Sequence, residues 1–284
     1  MANPGACNVL RQAGGDQLVV CADYAATGRP TATFYELVRL LTAELDIWET
    51  APAPYREDEV MSGAAQLDRW ERDIRAAGLP VHAVLGFCAG NVYAGMLAER
   101  IATWQDAPRL ILLDPGRARR QMLVEHVESV LSRLASTFAP AALEEARQQV
   151  RDADAAAADP VELARRLAPF CLAVVTPALR RAFHSAPASE QFTKIISGYL
   201  CWLGGAAQLD PRGAWSSAIA LNSNSTNYGL YLTPESERDS LVATATYYDV
   251  SHGDLMRTPA VAAAVDELLC AEVALDGPTG KAVR

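Results

Sequence analysis

The 284-residue sequence has no apolar run approaching the roughly 18 residues that a membrane-spanning helix needs. It has no basic run either. Its 25 Lys and Arg stand against 34 Asp and Glu, a net charge of −9, which counts against nucleic acid and anionic membrane as partners. The opening MANPGACNVLRQAGGDQLVV lacks a basic segment followed by an apolar stretch. No signal peptide is therefore expected, and the cytoplasm is the default compartment. The six cysteines, Cys7, Cys21, Cys88, Cys171, Cys201 and Cys270, show no CxxC spacing, so the common zinc pattern is missing. Without a secretion signal their even number is no argument for disulfides. There is no internal repeat and no low-complexity linker. What is there is globular composition, 50% hydrophobic and 21% charged, enough to bury a core without metal or disulfide support.

The first part of the chain alternates two periods. Gln17–Ala22 (QLVVCA), Asp46–Thr50 (DIWET), His82–Gly86 (HAVLG) and Arg109–Leu113 (RLILL) read as short buried strands. Phe34–Leu45, Ser62–Ala77 and Asn91–Trp104 carry helical spacing; Ala65, Leu67, Trp70 and Ile74 mark the second, and Gly78-Leu79-Pro80 ends it. Such alternation predicts βαβ units and a mostly parallel sheet, an α/β fold. From Arg117 to Pro211 the pattern turns helical, punctuated by Pro140, Pro160, Pro169, Pro177 and Pro187, with Leu172–Val175 (LAVV) the one strand-like interruption. Strand character returns at Ser216–Asn222 and Leu241–Val250, and Pro259–Leu275 reads as a closing helix. One core of 1–116 and 212–284 with a helical insertion at 117–211 accounts for this more economically than two domains.

One segment carries chemistry. Gly86-Phe87-Cys88-Ala89-Gly90 is a G-x-C-x-G pentapeptide between a buried strand and a helix, the pattern of a nucleophile elbow with Cys in place of Ser. The flanking glycines permit a sharp turn that lifts the central residue to a helix N-terminus, where N–H groups and the dipole favour a thiolate and a developing oxyanion. A cysteine in a glycine-rich turn is also an ordinary core residue, so the weight falls on context. Asp114 ends the next strand, at the edge where Cys88 emerges, although Asp before Pro115 is also a common turn cap. Of the four histidines, His82 precedes the elbow strand and His126 and His184 fall in the insertion. His252 follows the last strand, completing the order nucleophile, acid, His. Asp249 and Asp254 are the fallback acids. The backbone N–H of Ala89 is the expected first oxyanion donor. The loop Asp23–Gly28, at Tyr24 or Ala25, is expected to supply the second.

Together these residues resemble the thioesterase family of nonribosomal peptide and polyketide synthases, which has the α/β-hydrolase fold. The matching pieces are LVVCADYAATG, the helix around Phe34-Tyr35-Glu36-Leu37, VLGFCAGNVYAGMLAE, LILLD and SHGDLM, in order along nearly the whole chain. The resemblance implies that segment 117–211 is a lid. It implies no cofactor beyond the phosphopantetheine of a separate acyl or peptidyl carrier protein, which would deliver the acyl group as a thioester. The chain departs from the family in using Cys88 for the commoner Ser, in placing Asn91 where a further Gly often stands, and in lacking a Gly-Gly pair in the oxyanion loop. It is similar in outline to stand-alone members that shuttle aminoacyl groups. Dienelactone hydrolases also use a Cys elbow but lack a large helical lid. A hydrolase fold without catalysis, serving as a binding protein, is the non-enzyme alternative. Asp239-Ser240-Leu241 resembles a phosphopantetheine attachment site but lacks the preceding Gly and reads as a loop. Arg117, Arg119, Arg120, Arg165, Arg166, Arg180 and Arg181 read first as solvated helix faces and second as a docking surface for an acidic carrier. Asn222–Asn227 reads as a polar loop that could also reach a substrate.

Overall fold

A computed structural model of the chain describes residues 5–25, 31–53, 55 and 62–271. The strands, in chain order, are β1 (Cys7–Arg11), β2 (Leu18–Ala22), β3 (Asp46–Thr50), β4 (Val81–Phe87), β5 (Arg109–Leu113), β6 (Ile219–Asn222) and β7 (Thr244–Tyr247). The helices are α1 (Phe34–Leu40), α2 (Gly63–Ala76), α3 (Gly90–Ile101), α4 (Arg120–Arg133), α5 (Pro140–Ala156), α6 (Pro160–Phe170), α7 (Thr176–Phe183), α8 (Ala186–Ala206), α9 (Arg212–Trp215), α10 (Glu235–Leu241) and α11 (Pro259–Cys270). The sheet order is β1-β3-β2-β4-β5-β6-β7, parallel throughout except for β1, which pairs antiparallel with β3.

Helices on both faces explain why the central strands are buried along their length: every residue of β2 and β3 is buried, the polar Asp46, Glu49 and Thr50 of β3 included. Alternate side chains serve opposite layers. Val19, Cys21, Leu85, Ile111 and Leu113 pack with residues of α1 and α11, while Val20, Val84, Leu112 and Ala220 pack with residues of α2 and α3. Each fully buried Leu or Val here contributes about 1.5–3 kcal/mol. The mostly parallel α/β architecture is as expected. The chain leaves the sheet after β5, runs through α4–α9 and rejoins it at β6.

Several local expectations are corrected. Edge strand β1 was not legible, because CNVLR shows little alternation and its middle is exposed. The helix expected over Phe34–Leu45 stops at Leu40, where the Arg11 guanidinium takes the carbonyl oxygens of Val38, Leu41 and Ala43. The LAVV stretch is a π-helical turn, Cys171–Val175, between α6 and α7. Pro169 and Pro177 each remove an i→i−4 donor, and the widened turn absorbs the loss. Asp239-Ser240-Leu241 belongs to α10 rather than a loop, so the last strand shrinks from Leu241–Val250 to Thr244–Tyr247. Residues 272–275 of the expected last helix, and Ala26, Thr27 and Gly28 of the oxyanion loop, lie outside the described residues.

Candidate active site

The turn from β4 into α3 forces the backbone of Cys88 into the left-handed region, at φ 52°. Only close packing holds a non-glycine residue there. Its N–H donates to Leu113 O (3.0 Å), and its carbonyl accepts from the N–H groups of Asn91 (3.2 Å) and Gly116 (3.3 Å). Both flanking glycines are sterically required. A Cβ on Gly86 would come within 2.6 Å of Asn91 Cα, and one on Gly90 within 2.0 Å of Ala22 O. Asn91 does what no glycine could do. Its buried Nδ2 donates to Cys88 O (2.9 Å) and Leu113 O (2.8 Å), tying the elbow to the end of β5.

Asp114 also adopts a positive φ, 46°, and is 1% exposed. Its Oδ1 accepts the Ser223 N–H (2.7 Å), and its Oδ2 lies 2.7 Å from His252 Nδ1. With Nδ1 committed to Asp114, Nε2 is the ring nitrogen left for the Cys88 side chain, whose interaction with the imidazole helps to raise the ring's pKa. His252 itself is 6% exposed, and its N–H donates to Ser225 Oγ (2.8 Å). Burial works against a charged imidazole. The hydrogen bonds to Asp114 and Cys88, with the charge attraction of both, outweigh it and raise the His252 pKa to about 9.

The imidazole is also held by its faces. Phe87 stacks on it at 4.7 Å between centroids and 12° between planes, and Tyr228 at 3.8 Å and 4°. Two rings stacked that closely cannot share one face, so they sandwich His252. The loop after β6 therefore supplies four groups to the constellation: the Ser223 amide, the Ser225 hydroxyl, the Tyr228 ring and Gly229. The sequence reads Asn222–Asn227 as a polar loop that could also reach a substrate, and singles out neither Tyr228 nor Gly229. The loop's one legible signal was position, just after a strand adjacent to the one that ends at Asp114.

The other expected residues are placed as follows. Ala89 is buried at the N-cap of α3. Tyr24 is buried and Ala25 half-buried at the end of β2. The Tyr24 hydroxyl donates to Ile195 O (3.0 Å) on α8, and its ring meets Tyr199 and Trp202 edge-on. The fallback acids are engaged elsewhere: Asp249 accepts from Asn224 Nδ2 (2.5 Å) and Asp254 from Ser251 Oγ (2.6 Å). His82 Nε2 pairs with Leu269 O (2.8 Å), His126 packs against Tyr199, and His184 ends α7 in a left-handed conformation. Burial pushes the Cys7 and Cys171 thiols up to about 12, Cys201 to about 11 and Cys21 well above its ordinary value, which suits inert core fillers.

A cavity of about 260 Å³ opens on Cys88 and Asp114 and is lined by Arg117, Arg119, Met122 and Tyr228 among others. The remaining arginines of the expected clusters have local partners where the structure shows them: Arg120 with Asp154, Arg166 with Glu162, and Arg180 with Glu190. Arg181 reaches Thr137 O and the Phe138 ring. A larger cavity, about 560 Å³, lies along the β7 edge and contains none of the site residues. Among the described residues no group of three or more His, Cys, Asp or Glu is arranged to hold a metal ion. No helix among them is long and apolar enough to cross a membrane.

This arrangement of parallel sheet, elbow after β4, carboxylate after β5 and His after the last strand is the α/β-hydrolase fold. Solved structures of the same fold include thioesterase domains. The Vlm2 thioesterase domain with genetically encoded 2,3-diaminopropionic acid bound with a dodecadepsipeptide is similar at a TM-score of 0.52 and 20% identity, over 94% of this chain and 97% of that one. The NocB thioesterase domain in covalent complex with a fluorophosphonate nocardicin G analogue is similar at 0.54 and 15% identity, over 93% and 100%. NocB without that analogue is similar at 0.53 and 14%, over 93% and 98%. No protein-family model and no curated protein matches the sequence.

Proposed function

We propose that the protein is a thioesterase-like acyl-transfer enzyme with a Cys88–His252–Asp114 triad, acting in natural-product biosynthesis. It takes an acyl, aminoacyl or peptidyl group from the phosphopantetheine thioester of a separate carrier protein onto Cys88. It then releases the group to water, an amine, a hydroxyl or a second carrier thiol. The observation that carries this reading is the 2.7 Å contact from Asp114 Oδ2 to His252 Nδ1, on an imidazole stacked against Phe87, the residue that precedes the cysteine of a left-handed elbow. The fold shared with the Vlm2 and NocB thioesterase domains supports it.

In this mechanism Asp114 fixes the imidazole so that Nε2 meets the sulfur, and His252 takes the Cys88 proton or already holds it in a Cys–His ion pair. The sulfur attacks the thioester carbonyl. The resulting oxyanion is stabilised by the backbone N–H of Ala89 and a second N–H from Tyr24 or Ala25. Collapse breaks the bond to the carrier sulfur, and His252 returns the proton to that leaving thiol. Segment 117–211 acts as the lid that controls access to the acyl-enzyme. A thioester on Cys88 is nearly isoenergetic with the one consumed, whereas a Ser ester would lie downhill. Cysteine therefore suits passing the group onward to another thiol or an amine.

Intact-protein mass spectrometry after mixing with an acyl-loaded carrier protein, wild type beside Cys88→Ala, tests this. A mass adduct present only in the wild type is expected. Turnover of an activated ester without any reaction on carrier thioesters would point instead to a dienelactone-hydrolase-like small-molecule enzyme. Identical behaviour of the two proteins would leave a binding protein with a hydrolase fold.

A further inference from the structure

We infer that Tyr228 decides between transfer and hydrolysis at this site: its ring seals one face of the His252 imidazole, so that an acyl group on Cys88 passes to an acceptor entering the cavity rather than to water. This rests on the reading of Cys88 as the acyl carrier.

The approaches to His252 are few. Phe87, itself fully buried, covers one face, and Asp114 occupies Nδ1. Tyr228 covers the other face at 3.8 Å. That leaves the Nε2 edge, which the proposed mechanism turns toward Cys88. Among the described residues Tyr228 is the cover with a solvent side. It is 41% exposed while the imidazole beneath it is 6% exposed, and it lines the cavity that opens on Cys88. The ring is placed by the loop that places the triad: Tyr228 N–H donates to Ser225 O (3.0 Å), and Ser225 Oγ accepts the His252 N–H. Cover and base therefore form one unit.

Hydrolysis and transfer share their chemistry. In hydrolysis the water oxygen bonds the acyl carbonyl and its proton goes to Nε2. The C–S bond to Cys88 then breaks, and the departing thiolate takes the proton back, giving free acid and thiol. In transfer an acceptor thiol or amine replaces the water, and the acyl group leaves on it. The two outcomes differ in which nucleophile reaches the carbonyl beside Nε2, and solvent exclusion is what a flat ring over the base provides. An alanine would open the wall next to the acyl sulfur, whereas a phenylalanine keeps the stack.

The test acylates wild type, Tyr228→Phe and Tyr228→Ala with p-nitrophenyl acetate, then chases with a fixed excess of N-acetylcysteamine. Free acetate and acetyl-N-acetylcysteamine are quantified, and Cys88→Ala serves as the control. Tyr228→Phe should keep the wild-type ratio of acid to transferred product, and Tyr228→Ala should raise it by about threefold or more. A ratio unchanged in Tyr228→Ala, with both products slowed together, overturns the inference and leaves Tyr228 a structural residue. Should Tyr228→Ala fail to fold, Tyr228→Leu, which fills space without a flat ring, is held to the same ratio. An adduct absent from the wild type, or undiminished in Cys88→Ala, removes the Cys88 reading itself. A Cys88-dependent adduct with an unmoved ratio removes only the role of Tyr228.

Discussion

Gly229 lies against Asp114: its φ is +58°, and a Cβ built on it would sit 2.7 Å from Asp114 Oδ1 and 2.9 Å from Asn222 Oδ1. The carboxylate thus reaches His252 past a residue with no side chain. Gly229→Ala should cost about 1–2 kcal/mol through backbone strain and push the carboxylate off the imidazole. A loss of kcat of about tenfold or more, with near-native circular dichroism, is expected. Urea unfolding alongside kinetics checks it, and full activity would show that Asp114 is not held by this contact.

Asn91 ties the elbow to β5 through two donated bonds, yet its Oδ1 is buried without a partner among the described residues. Such half-satisfied amides cost part of what they supply. Asn91→Ala should therefore destabilise by only about 1 kcal/mol, while loosening Cys88 relative to Asp114. The expected pattern is a small drop in the urea midpoint with unchanged slope, and a fall in kcat larger than the stability loss explains. Asn91→Asp, which cannot donate to either carbonyl, should be worse on both counts.

His252 links stability to pH. Its pKa stands at about 9 in the fold against an ordinary 6.5, so folding favours the protonated ring. That contribution is full below pH 6.5 and is lost as pH rises through about 9. Its size is on the order of 3 kcal/mol. Asp114→Asn removes the chief stabilising partner, so its deficit relative to wild type should be largest near pH 6 and shrink toward pH 9.5. In Cys88→Ala the imidazole should titrate lower than in wild type, yet still above an ordinary histidine, because Asp114 remains. Imidazole NMR across the range measures both. A deficit that grows with pH would reverse the sign of the argument.

Much of this was legible because it rests on local pattern. The central strands are short and largely apolar, the elbow has glycines two positions either side of its cysteine, and the acid and histidine each follow a strand. What escaped depends on tertiary placement. Ser223 contributes an amide and Tyr228 a ring face, and neither leaves a residue-type signature in a segment full of turn formers. Asn91 looked like a departure from pattern until its amide was seen to reach two carbonyls. The π-helical turn at Cys171–Val175 misled because two valines and a leucine between prolines have strand composition, and only its packing among α6, α7 and α8 makes it helical.

Replacing Cys88 by serine separates the two fates of the acyl group. The triad can still activate a hydroxyl, so acylation should persist at a reduced rate. The acyl-enzyme is then an oxygen ester, lower in energy than the carrier thioester, and return to a thiol becomes uphill. Back-transfer to a free carrier thiol should fall by about tenfold or more relative to wild type, a change of at least ~1.4 kcal/mol in that step's barrier. Trapped ester on Cys88→Ser with slow release to water is the outcome expected. Equal back-transfer from both proteins would show that thioester exchange is not what the cysteine is for.

Tyr24 joins the loop after β2 to α8, 171 residues away in sequence, through its hydroxyl on Ile195 O at 3.0 Å. If that loop supplies the second oxyanion donor, its position depends on where α8 sits. Tyr24→Phe keeps the ring contacts with Tyr199 at 5.3 Å and Trp202 at 5.9 Å and removes the tie to Ile195. The stability cost should be about 1 kcal/mol, the net worth of one hydrogen bond. The kinetic cost should fall on kcat rather than KM, because an oxyanion donor acts on the transition state and not on the bound thioester. Gly198→Ala tests the same coupling from the helix side, since a Cβ there would meet the Tyr24 hydroxyl at 2.6 Å and push it away from Ile195. Both variants should lower kcat together. A rise in KM alone would place Tyr24 in substrate binding instead, with the oxyanion donors elsewhere on the loop.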